Sequence, residues 1–259
     1  MPDPESQAPR GSGALTVSEA AALQLAPGVA TLLVYLPLAA FFTSRGIPNL
    51  LALMLAILIA EVPVSWAIMT RRVRHETGAS FSLRAAFPWH AKVPWWQYVI
   101  IGVPLIVISM AIIGGLNPII ERALLAGPFA WVPDWFVLSP DPAIFTEVPR
   151  GLALLIWGGA LVSFVLVGSP TQELYARGFL LPRTAHWGRW APASNALVFA
   201  IFHLVAPWHW VGFFIMIVPW AYLVWWRRSV KIGLFIHVGM IVVQWLGMTA
   251  LIFGLASAP

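Results

Sequence analysis

The chain of 259 residues is 60% hydrophobic and only 10% charged, with 15 tryptophans and a mean hydropathy of +0.83, values that exclude an ordinary soluble domain. The lack of cysteine excludes a disulfide framework, a thiolate metal site and a cysteine nucleophile. The formal net charge of +5 falls in short clusters between apolar runs, a membrane-orientation pattern that gives no signal for nucleic acid.

Residues 1–19 are polar and rich in Pro, Gly and Ser, which predicts a disordered cytoplasmic tail. They lack the basic, short apolar and small-residue regions of a secretory signal, so the first apolar run is expected to stay in the protein. Residues 20–259 read as a single transmembrane domain without internal repeat. Its seven apolar segments run from Gly28 to Phe42, Leu50 to Met69, Trp96 to Leu116, Leu152 to Leu181, Pro192 to Ala206, Val211 to Trp226 and Ile232 to Leu255. Most approach the roughly 20 residues that a spanning helix needs, and their continuous apolarity lacks the alternation of a membrane strand. The predicted fold is therefore all-α, a polytopic bundle of about seven spans.

Lys and Arg are unevenly shared between the connections. Arg10, the second connection (Arg71, Arg72, Arg74, Arg84, Lys92), the fourth (Arg183, Arg189) and the sixth (Arg227, Arg228, Lys231) fall on one side; Arg45, Arg122 and Arg150 fall on the other. This predicts a multi-pass protein of a plasma membrane, with its N-terminus cytoplasmic and its C-terminus outside. The third connection, Asn117 to Arg150, mixes Trp131, Pro133, Trp135, Pro140 and Pro142 with Asp134, Asp141 and Glu147, and is expected along the outer interface. Trp95, Trp96, Trp208, Trp210, Trp225 and Trp226 flank spans as interface anchors, although Trp208-His209-Trp210 also suits a cavity cap. His186 and His209 are expected to be solvated, and His75 and His90 to lie beside anionic lipid. Glu61, an intramembrane acid two residues before Pro63, is expected to bond freed backbone or a partner helix.

Ionisable groups within lipid are costly and mark functional sites by default. The fourth segment carries Glu173 and Arg177 four residues apart, acid first, the favourable order for a same-face helical pair, and a structural ion pair explains them as well as a site does. Gln172 projects about 100° further round the helix. His203 stands four residues after Phe199 on the fifth segment, and His237 lies on the seventh. By helical rise, Glu173, His203 and His237 lie about 10–20 Å inward from the basic face, which predicts one cavity open to the cytoplasm.

These residues carry a resemblance. QELYARGFLLPR, FAIFH and LFIHVGMI resemble the three-motif core of the CPBP family (CAAX proteases and bacteriocin-processing enzymes, or Abi), over roughly Val165 to Met248. The family pattern is a Glu-Glu pair, three residues and Arg; Phe, three residues and His; and His, three residues and Asn or Asp. Glu173, Arg177, Phe199, His203 and His237 match, whereas Gln172 stands where the family has its first Glu and Ile241 where it has Asn or Asp.

The resemblance implies an intramembrane endopeptidase acting on membrane-associated peptides or proteins, in contact with lipids. His203 would activate water, with Gln172 and Glu173 beside it, and His237 would donate to the oxyanion; Arg177 would hold Glu173. A metal version, with a divalent ion such as zinc, would use Glu173, His203 and His237 as ligands. The two departures weigh against full activity, because Gln accepts no proton and Ile donates no hydrogen bond. Glu173 is an imperfect replacement because it faces Arg177, and Gln244, seven residues after His237, would donate only to a deeper substrate. A catalytically inactive scaffold that binds a membrane peptide or partner is the alternative, and a small proton-relaying transporter ranks third.

Overall fold

The computed structural model describes residues 13–138 and 148–255. Most of the predicted tail, with Arg10, lies outside them, as do Pro140, Asp141, Pro142 and Glu147. Among the described residues seven principal helices alternate in direction: α1 (Val17–Thr43), α2 (Leu50–Thr77), α3 (Trp95–Leu125), α4 (Arg150–Arg183), α5 (Trp190–Phe202), α6 (Trp210–Arg227) and α7 (Val230–Ile252). All but α5 are long and apolar enough to cross a membrane. The protein is a multi-pass helical bundle, and the expected seven spans become six spanning helices and one shorter apolar helix.

The boundaries move for identifiable reasons. Helix α1 starts within the predicted tail because Thr16 and Glu19 form a reciprocal capping box, and it continues through Pro27 and Pro37. Helix α3 runs past Leu116 because its apolar stretch ends before its backbone helix does. Helix α5 stops at Phe202, short of the expected Ala206, and the backbone turns away at His203. The freed His203 carbonyl accepts from the Ala206 amide and the Trp210 indole at 3.1 and 3.2 Å. Irregular backbone at membrane depth persists where protein or a cavity surrounds it.

Five widened π-type turns, Ile57–Glu61, Tyr98–Gly102, Ile112–Leu116, Leu161–Gly168 and Leu174–Leu180, each end two residues before a proline: Pro63, Pro104, Pro118, Pro170 and Pro182. Proline has no N–H, and its ring crowds the carbonyl one turn back; widening that turn relieves the clash without breaking the helix. Glu61 closes the first of these turns, and Gln172 and Glu173 lie between the last two. Helix α5 packs between α1 and α6, while the Ser169–Glu173 turn of α4 packs on α7. Trp208 is fully buried, with edge contacts to Phe129 and Phe136, so it belongs to the core and not to the membrane interface; Trp95, Trp96 and Trp226 are exposed as expected.

At the far end of α3 the segment before residue 139 folds inward over the bundle. Asn49 donates to the carbonyls of Trp135 and Val137 at 3.0 and 2.8 Å, and the Tyr35 hydroxyl donates to Phe136 at 2.8 Å. Within the expected interfacial segment, Trp131 is exposed. At the basic end, Arg183 donates to both Glu76 oxygens, at 3.1 and 2.7 Å, and to the Phe179 carbonyl at 2.8 Å, locking α4 to α2. The buried fork is expected to matter more than its rim. Arg183→Ala should destabilise by about 1.5–3 kcal/mol by removing the charged donor that ties Glu76 to α4, and Arg72→Ala, which removes the half-buried partner of the same acid, by less than about 1 kcal/mol; thermal unfolding in detergent micelles compares them.

Candidate functional site

Glu173 has no exposed surface, and neither does Arg177. The guanidinium Nη1 of Arg177 and the Nδ1 of His237 both lie 3.4 Å from Glu173 Oε2. Arg177 also sits 4.0 Å above the Phe199 ring, which supplies the electron-rich face that a desolvated cation favours. One carboxylate thus holds a cation from its own helix and an imidazole from α7. Room for it comes from Gly233, where a Cβ would collide with Glu173 Oε1.

Phe199 organises both histidines. Its ring meets His203 at 5.1 Å and His237 at 6.3 Å between centroids, nearly perpendicular to each. His203 Nδ1 lies 2.9 Å from the Phe199 carbonyl. Only a protonated Nδ1 donates to a carbonyl, so in the neutral ring Nε2 is left as an acceptor. His237 turns Nδ1 towards Glu173, which leaves Nε2 for the cavity.

That cavity has a volume of about 310 Å³ and is walled by all seven helices. Gln172, His203, His237, Ile241 and Gln244 line it, so α4, α5 and α7 do bring the sequence-read groups together. Glu173 does not line it: the residue is sealed behind His237 and is a poor position for a base or a metal ligand. The expected Glu173, His203 and His237 ligand set therefore does not converge, and among the described residues no three His, Asp or Glu side chains are grouped to hold a metal ion.

The cavity runs from His237 and Glu61 towards Leu53, Asn117, Glu121, Leu204 and His209, at the helix ends remote from the Arg and Lys clusters. This reverses the direction expected from helical rise. On the basic side the bundle is closed by packed Phe179, Leu180, Trp220, Val224 and Ile232, all buried. Two further acids line it, one of which escaped the sequence reading. Glu121, placed there in a connection, lies on continuing helix and approaches His209 Nε2 to 3.2 Å, so His209 is paired and not simply solvated. Glu61 accepts from Gln172 Nε2 at 2.8 Å; of the two expectations for this acid, the bond to a partner helix is the one observed.

The bundle and its buried acid–base cluster define a multi-pass membrane protein with a polar intramembrane site. Residues 153–243 match the family model described as Rce1-like, Type II CAAX prenyl endopeptidase Rce1-like, a little over a third of the chain and the part that holds every motif residue from Gln172 to Ile241. Over these residues the chain is similar to CAAX prenyl endopeptidases, and the resemblance carried by its three motifs is borne out. No curated protein and no solved structure matches the chain.

Because Gly233 makes the space that Glu173 fills, Gly233→Ala is expected to destabilise by about 1–3 kcal/mol through overpacking. Gly247→Ala, whose new methyl meets nothing within 4 Å, should leave the unfolding midpoint unchanged or slightly higher. The pair is read by thermal unfolding in the same detergent.

Proposed function

We propose that the protein is an intramembrane endopeptidase of CAAX-protease type that hydrolyses peptide bonds in membrane-associated substrates. The observation that carries this reading is the shared cavity, in which His203 and His237 stand about the same aromatic ring with one nitrogen of each free. His203 Nε2 accepts a hydrogen bond from water and aims its oxygen at the scissile carbonyl. His237, in its doubly protonated form with Nδ1–H turned to the Glu173 carboxylate behind it, donates from Nε2 to the oxygen that gains charge as the tetrahedral intermediate forms. Arg177, paired with Glu173, holds it in place and is a positioning residue.

Gln172 and Ile241 favour a second reading, a scaffold that binds membrane peptides without cleaving them, since neither supplies the chemistry of the family's Glu and Asn. The charge distribution supports a plasma-membrane orientation with the N-terminus in the cytoplasm, which turns the cavity towards the outer half of the membrane. A substrate would then come from the lipid or the outer face, and membrane peptides suit this site better than cytosolic CAAX tails do.

Turnover of lipid-anchored, quenched fluorogenic peptides by protein in liposomes tests the activity. Wild type is expected to cleave at least one, and His203→Ala to lose about 10²–10⁴-fold in rate. His237→Ala should lose about 10²–10³-fold, the effect of one oxyanion donor. Because the donor set does not converge on a metal, cleavage is expected to survive a strong zinc chelator. Wild-type protein that binds the peptides and cleaves none would establish the scaffold.

A further inference from the structure

A water-activating site needs a group that takes the proton, and the family position for it holds Gln172, which cannot. Glu61, the intramembrane acid before Pro63, lies on α2, outside the residues that match the family. In the structure it is 3% exposed, lines the same cavity as His203 and His237, and accepts from Gln172 Nε2 through Oε1 at 2.8 Å. Among the described residues its other oxygen has no comparable donor. The Thr31 hydroxyl lies 3.5 Å from Oε2 but has a shorter bond to the Pro27 carbonyl at 2.8 Å, and a hydroxyl has one proton to give. A buried carboxylate oxygen without a close donor, on a cavity wall, is a place for water.

Two features fix this placement. The widened turn before Pro63 ends at Glu61 and sets its direction. Helix α1 then ties it to the histidine: Thr31 touches Glu61, and Gly28, one turn earlier, packs directly against the carbonyl of Phe202, the neighbour of His203.

We propose that Glu61 is the catalytic carboxylate of this protein, displaced from the Gln172 position to the facing helix, with Gln172 now holding it. The inference rests on the peptidase reading above. In the step, an O–H bond of water breaks and its proton passes to Glu61. The water oxygen bonds to the peptide carbonyl carbon, and the carbonyl π electrons move onto its oxygen. On collapse those electrons re-form C=O, the C–N bond breaks, and the leaving nitrogen takes the proton back from Glu61. His203 orients the water throughout.

The test compares wild type, Glu61→Gln, the exchange Glu61→Gln with Gln172→Glu, and His203→Ala, using lipid-anchored fluorogenic peptides in liposomes and checking each variant for monodispersity and unfolding midpoint. Glu61→Gln keeps the shape of the pair and is expected to lose about 10²–10⁴-fold in rate while staying folded. The exchange restores a carboxylate across the same hydrogen bond and is expected to return to within about tenfold of wild type, which a purely structural acid would not do. A Glu61→Gln rate within about threefold of wild type, beside an inactive His203→Ala, overturns the proposal and leaves the peptidase intact. An exchange variant as slow as Glu61→Gln also overturns it. If wild type itself cleaves nothing, the peptidase reading and this assignment fall together.

Discussion

Glu173 and Arg177 are both fully buried in a bundle surrounded by lipid, and this pair constrains everything near it. Desolvating two charges costs more than their attraction returns unless further polar contacts share the load. The structure answers that demand in part, with the Phe199 ring against Arg177 and the His237 imidazole 3.4 Å from Glu173, while among the described residues the Arg177 nitrogens have no hydrogen-bond partner. Each auxiliary contact comes from a different helix, so neutralising the pair also sets how α4, α5 and α7 meet. Gly233 belongs to the same constraint, because a carboxylate can sit against α7 only where that helix has no side chain.

The organisation separates support from chemistry. Behind the histidines lies a buried ion pair that does not line the cavity; in front lies a space with His203, His237, Gln172 and Glu61 at its wall. An ion pair facing water would be screened and mobile, and its hold on the imidazole would weaken. Keeping it behind the ring fixes which nitrogen of His237 faces inward.

Much of this was legible in residue order. Apolar runs located the helices, and the spacing of Glu173, Arg177, Phe199, His203 and His237 identified the elements that meet. What escaped depended on backbone geometry that hydropathy does not encode. An apolar run ends where side chains become polar, so α3 was cut at Leu116 and Glu121 was assigned to a connection, although the peptide hydrogen bonds continue to Leu125. Depth along a helix follows from rise per residue, but depth does not say which way a cavity opens. That depends on which layer is better filled, and Phe179, Trp220 and Ile232 fill the basic side. Arg183 looked like one more charge setting orientation; its bond to Glu76 crosses 107 residues of chain and has no local signature.

The brevity of α5 has a consequence for the surrounding lipid. Its 13 residues rise only about 20 Å against a hydrocarbon layer of about 30 Å. Trp190 and Leu197 on it, and Val211 and Ile215 at the start of α6, are exposed side chains on this flank of the bundle. Acyl chains beside a short apolar element shorten or tilt to match it, so the bilayer is expected to dimple next to α5. Such a dimple would bring headgroups and their water down towards the depth of His203 and shorten the distance over which an extended peptide must leave water. The elastic cost of that hydrophobic mismatch depends on lipid chain length, which makes bilayer thickness a physical variable of this site alongside its side chains.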